Sequence, residues 1–124
     1  MRVLPGVGLG DVMTSAAAAV GVPDCRDALG VGETTCAVVC LVDGLGASAI
    51  EDHSELFPAL RDAGGGWVEA PFPSTTATGL ATLGTGLPPG RHGMPGASFW
   101  LPDTQEVLTP LRWGRSPAPH AAQQ

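Results

Sequence analysis

At 124 residues the chain has room for one modest domain, and a hydrophobic content of 44% is that of a globular protein, which excludes wholesale disorder. Charge is sparse and acidic, with a net charge of -6 and no lysine, which argues against a duplex nucleic acid surface held by many phosphate contacts. A nucleotide as substrate stays compatible, because a metal ion can supply the positive charge that the side chains lack.

Met1 to Pro5 reads as a loose start. The segment to Val20 makes a poor signal peptide, since Arg2 is its one positive residue and Gly6, Gly8, Gly10 and Asp11 interrupt any apolar core. No stretch is long and apolar enough to span a bilayer, and the expected setting is cytoplasmic, with no membrane partner. Asp11 to Val20 reads as a helix with Val12, Ala16 and Ala19 or Val20 on one face, ended by Gly21 and Pro23. After the connector Gly30 to Thr35 comes Cys36-Ala37-Val38-Val39-Cys40-Leu41-Val42, a continuous apolar run with the pattern of a parallel strand covered on both faces. On such a strand Cys36 and Cys40 share a face about 13 Å apart, too far for a disulfide, and read as small buried apolar residues.

Beyond Asp43-Gly44-Leu45-Gly46, a helix is expected over Ala47 to Asp52 and a second over Ser54 to Ala63. Pro58 lacks an amide hydrogen, which places a break near His53, and Gly64-Gly65-Gly66 stops the second helix. Trp67 to Phe72 reads as a short strand, and this strand, helix, strand order sets an α/β class. Thr75 to Leu83 forms the next helix, followed by the Gly84 to Gly93 turn region. Ser98 to Leu101 and Glu106 to Leu108 form a hairpin across Pro102 to Gln105. From Arg112 onward there is no periodicity, so the expected organisation is one partial domain over 1–113 and a disordered tail over 114–124. The edges of such a sheet stay open and can pair with another chain, which makes self-association an expectation.

Two constellations carry chemistry. Open α/β sheets place ligand groups beyond the carboxyl ends of their strands, and Asp43 there can take a cation; its plainer role is to open the Asp-Gly turn. Ser74, Thr75, Thr76 and Thr78 cluster at a helix start. One of these hydroxyls caps the helix, but four within five residues exceed what capping needs. Free amides and the macrodipole favour an anion at that position, where a metal-bound alkoxide can attack phosphorus. Gly44-Leu45-Gly46-Ala47-Ser48-Ala49, with Glu69 on the next strand, also fits a dinucleotide-binding pattern. Against it, Asp43 sets a negative charge near the pyrophosphate, Pro58 disturbs the helix, and the threonines stay unexplained. His92 reads as a loop hydrogen-bonder, His53 as a surface residue at the helix break and His120 as part of the tail. No H-x-x-x-H or C-x-x-C spacing marks a structural zinc site, and Trp67, Trp100 and Trp113 read as core or hairpin anchors.

Val38 through Asp43-Gly44-Leu45-Gly46, together with Phe72-Pro73-Ser74-Thr75-Thr76-Ala77-Thr78 through Gly86-Leu87-Pro88-Pro89-Gly90-Arg91-His92-Gly93, resembles the type I phosphodiesterase/nucleotide pyrophosphatase family of the alkaline phosphatase superfamily. The resemblance runs from about Asp11 to Trp113 and implies the N-terminal part of an alkaline-phosphatase-like parallel sheet with flanking helices. It implies hydrolysis of phosphodiester or nucleotide pyrophosphate bonds at a site of two divalent metal ions, usually zinc. Asp43 and Thr76 then bind metal, and Thr76 is the nucleophile, with the register set by Pro73-Ser74-Thr75-Thr76 and the adjacent Thr75 as the alternative. A phosphothreonine intermediate forms and metal-activated water hydrolyses it. The substrate is a phosphate ester or nucleotide. An asparagine common three residues after the nucleophile is Gly79 here. The family's remaining metal ligands lie well downstream, so the chain is expected to be a fragment that does not hold both ions and has little or no activity alone. A non-catalytic α/β remnant or interaction module, and a dinucleotide-binding domain, stand as the alternatives.

Overall fold

Where the sequence suggests a loose start, the computed structural model forms strand β1 (Arg2–Gly8). It describes residues 2–62, 65–112 and 114–117. The chain divides into two compact units, Met1–Glu69 and Ala70–Gln124.

In the first unit β1 lies parallel to β2 (Gly66–Glu69), with Val3 opposite Trp67. Their register slips between Val3 and Gly8, where Pro5 has no amide to donate and Gly6 turns to φ +70°. Helix α1 (Gly10–Ala19) follows at once, its first turn fixed by the Asp11 carboxylate, which accepts the Gly8 N–H at 2.9 Å. Ser15 is fully buried on α1, and its hydroxyl oxygen accepts the amides of Ala28 and Leu29 at 3.0 and 3.1 Å. That pair of bonds ties the succeeding loop to the helix. Further along, the Asp27 carboxylate accepts the amides of Val31 and Gly32 at 3.0 and 2.9 Å. These bonds, Gly32 first and then Val31, hold its pKa below the usual aspartate value.

Cys36–Val42 corrects the sequence reading. The run is irregular and exposed throughout, and Val38 is 86% accessible. Cys36 and Cys40 are exposed free thiols rather than buried apolar fillers. A buried parallel strand needs neighbours along its edges and cover on its faces. Among the described residues the sheet containing β2 has β1 as its only other strand, so the apolar pattern has nothing to be buried against.

Helix α2 (Ala47–Asp52) buries Ile50 and ends at His53, the expected break. A 3-10 turn (Ser54–Leu56) leads to α3 (Pro58–Asp62), where Pro58 occupies the first position, the one place in a helix where its missing amide costs nothing. Trp67 anchors β2 to α2 by donating its indole N–H to Glu51 Oε1 at 3.0 Å.

The second unit holds α4 (Thr76–Thr85), a single turn α5 (Pro89–His92), and an antiparallel sheet of β3 (Phe99–Leu101), β4 (Glu106–Thr109) and β5 (Gly114–Pro117). The β3–β4 hairpin is the expected one, with Trp100 opposite Val107. Strand β5 was expected to be tail; instead it pairs with β4, Leu108 opposite Arg115, because the far edge of β4 offers backbone partners whatever the side-chain pattern. The expectations for Trp113 as an anchor, for His120, for Ala63 and Gly64 at the end of the second helix, and for residues 118–124 lie outside the described residues. A mixed α/β fold with a small parallel sheet and flanking helices results.

Candidate functional site

The threonine-rich turn owes its shape to Thr75. This residue is extended (φ -94°, ψ 154°) and is the N-cap of α4, its Oγ1 accepting the Thr78 N–H at 3.3 Å. Its carbonyl begins the helical ladder by accepting the Gly79 N–H at 2.8 Å. The hydroxyls of Thr75 and Thr78 lie 2.9 Å apart and share a hydrogen bond. Thr78 is fully buried, Ala77 is buried, Thr76 is half-buried as the first residue of the helix, and Ser74 is exposed. Of the hydroxyls the sequence offers for capping, Thr75 takes the role and Ser74 does not.

A second hold lies further along the same helix. Buried Thr82 has its Oγ1 2.9 Å from His92 Nε2, and His92 Nδ1 accepts the Met94 N–H at 3.1 Å. A backbone N–H can only donate, so Nδ1 is the acceptor and Nε2 carries the proton given to Thr82. Gly86 closes α4 in the left-handed region at φ +68°, donating its amide to the Thr82 carbonyl at 2.9 Å. The loop role read for His92 from sequence is thus present, with a helix partner added.

Asp43 belongs to the first unit and is exposed in an Asp43-Gly44 turn, with Gly44 at φ +76°. Without a strand before it, the argument from the end of a buried strand no longer applies to Asp43. The same absence removes the strand that a dinucleotide pattern at Gly44 to Ala49 requires. The structure gathers Thr75, Thr76 and Thr78 on one helical turn; Asp43 lies in the other unit.

Residues 37–121 match the family model described as type I phosphodiesterase / nucleotide pyrophosphatase. The chain belongs to this family. The match spans Asp43, Thr76, the α4–α5 turn and both compact units. Comparisons with curated proteins and with solved structures found no match. Type I phosphodiesterases and nucleotide pyrophosphatases are hydrolases of phosphodiester and nucleotide substrates and are generally metal-dependent. Among the described residues no group of three or more His, Cys, Asp or Glu is placed to hold a metal ion. Asp43 and Thr76 are two donors, fewer than the three protein ligands of a catalytic zinc centre, so the described residues by themselves do not fit the metal.

Sequence reasoning missed the partnership of Thr82 with His92 and the separate part played by Thr78. A signal was available: positions 75, 78 and 82 follow helical spacing and line one face of α4.

Proposed function

We propose that this chain belongs to a hydrolase of phosphodiester or nucleotide pyrophosphate bonds whose nucleophile is the Thr76 hydroxyl. One observation carries the choice of residue: Thr75, the alternative, uses its hydroxyl oxygen as the helix cap, while Thr76 follows it as the first residue of α4. The order of the motifs within the matched residues 37–121 supports Asp43 as a metal ligand; zinc, in a site of two ions to which other residues contribute, is part of the same proposal. The partial alkaline-phosphatase-like domain over 1–113 belongs to the same proposal, and the match over 37–121, which has residues in both units, supports it for the shared residues. In the reaction, Thr76 Oγ1 bonds to phosphorus as the ester bond to the leaving alcohol breaks, and the hydroxyl proton ends on that alcohol. The adduct on Thr76 is a phosphodiester that still carries the second alcohol, and water then cleaves its bond to Thr76, restoring the threonine and releasing the phosphomonoester.

A direct test is to incubate the protein with a chromogenic phosphodiester and added zinc, quench, and map phosphorylation by peptide mass spectrometry. The expected product is a low level of label on Thr76, a threonine phosphodiester that keeps the substrate's second alcohol, lost in Thr76→Ala and retained in Thr75→Ser. Label on Thr75, or undiminished turnover by Thr76→Ala, would overturn the assignment. A second reading, an interaction module that self-associates, is favoured by the exposed Cys36–Val42 run. Light scattering that reports a monomer at high concentration would count against it.

A further inference from the structure

We propose that Thr78 is a positioning residue for Thr76, acting through the hydroxyl of Thr75; the inference rests on the reading of Thr76 as the nucleophile. Thr78 is 0% exposed, yet it is polar; it is the third residue of α4, three positions after the cap. The residues three and four back are the cap Thr75 and Ser74, both outside the helix, so a side chain at this position is placed to reach back to the cap. Here it meets the Thr75 side chain at 2.9 Å, while its own N–H reaches the same Thr75 oxygen at 3.3 Å. Two groups of one buried residue therefore converge on a single oxygen.

Thr75 is thereby fixed in position and rotamer, and the peptide linking it to Thr76 is fixed with it. The Thr75 carbonyl is held as well, by the Gly79 amide at 2.8 Å. Thr76 stands between two clamped points, Thr75 before it and buried Ala77 and Thr78 after it. No buried side-chain polar atom among the described residues lacks a partner, and the partner of the Thr78 hydroxyl is Thr75. The requirement for such a clamp is chemical. In-line attack on phosphorus needs the nucleophilic oxygen held in a near-attack geometry, and a displacement of about 1 Å can cost about 100-fold in rate.

The decisive variant is Thr78→Val, which keeps the shape and removes the hydroxyl; Thr78→Ser restores the hydroxyl and loses a methyl. Two readouts are taken. The first is the rate at which the phosphodiester adduct forms on Thr76 with a chromogenic phosphodiester and zinc. It is expected to fall about 10- to 100-fold in Thr78→Val, with an unchanged substrate concentration for half-maximal rate, and to recover in Thr78→Ser. The second needs no turnover: the three-bond couplings of Thr76, expected to report one side-chain rotamer in the parent and in Thr78→Ser, and averaging in Thr78→Val. Should Thr78→Val lose its helix by circular dichroism, Thr75→Val against Thr75→Ser asks the same question from the other side of the bond. Couplings of Thr76 that stay equally ordered, or equally averaged, with and without the Thr75–Thr78 hydroxyl pair overturn the proposal. Failure of the nucleophile assignment looks different: label falls on a residue other than Thr76 in the parent, or Thr76→Ala is labelled as fast, while the coupling readout still answers the positioning question.

Discussion

Thr76–Thr85 and Cys36–Val42 are both short and rich in apolar or small residues, but one is a capped helix and the other an exposed irregular run. The helix carries its partners with it. Thr75 supplies the cap, Gly86 the left-handed stop, and the Thr82–His92 bond ties it to the turn that follows. Each of these is a contact between residues close in the chain, made without waiting for the rest of the fold. A strand has no such resource, because its amides and carbonyls point sideways to another strand. Cys36–Val42 lacks that neighbour, so three valines and a leucine at 38–86% exposure remain in contact with water. A contest between intrinsic preference and available partners is decided here by the partners.

Three substitutions or conditions probe that contrast. The largest effect is expected for Leu83→Ala, which removes a buried side chain from α4 and should cost about 3 kcal/mol by urea denaturation. A cost under about 1 kcal/mol would mean that the capping bonds, and not burial, hold this helix. A smaller effect is expected from acidification at Asp27, whose carboxylate does for the loop what Thr75 does for the helix. Its pKa is lowered in the fold by the Gly32 and Val31 amides. The stabilisation is therefore complete above the usual aspartate value of about 3.9 and is lost as pH falls through the lower folded value. Protection of the Val31 and Gly32 amides from hydrogen exchange, corrected for intrinsic rates, should drop between about pH 5 and pH 2, and Asp27→Ala should remove that dependence. The smallest effect belongs to Val38→Thr. At 86% exposure the change should stay within about 0.5 kcal/mol. A loss above about 1.5 kcal/mol would show that the run is packed in solution and would erase the contrast.

Much of the fold could be read from residues. The helices at Gly10–Ala19 and Ala47–Asp52, the break at His53 and the β3–β4 hairpin follow from Gly, Pro and apolar spacing. These elements depend on turn chemistry and periodicity inside a few residues. The first strand could not be read, because Arg2–Gly8 contains a proline and two glycines, and its pairing with β2 is a contact across more than sixty residues. At the site the motif order marked Asp43 and Thr76, within the residues that match the family. The division of labour among adjacent hydroxyls could not be read, since Thr75 and Thr76 are the same residue type and differ only in where the helix begins.

The sequence by itself determined the positions of helices α1, α2 and α4, the β3–β4 hairpin and the family, since each rests on local preference or on the order of short motifs. Tertiary structure decided that β2 takes its partner from the start of the chain and that Cys36–Val42 lies exposed. Each of those outcomes depends on which groups are near enough to exchange water for a protein partner, and proximity is a property of the folded chain.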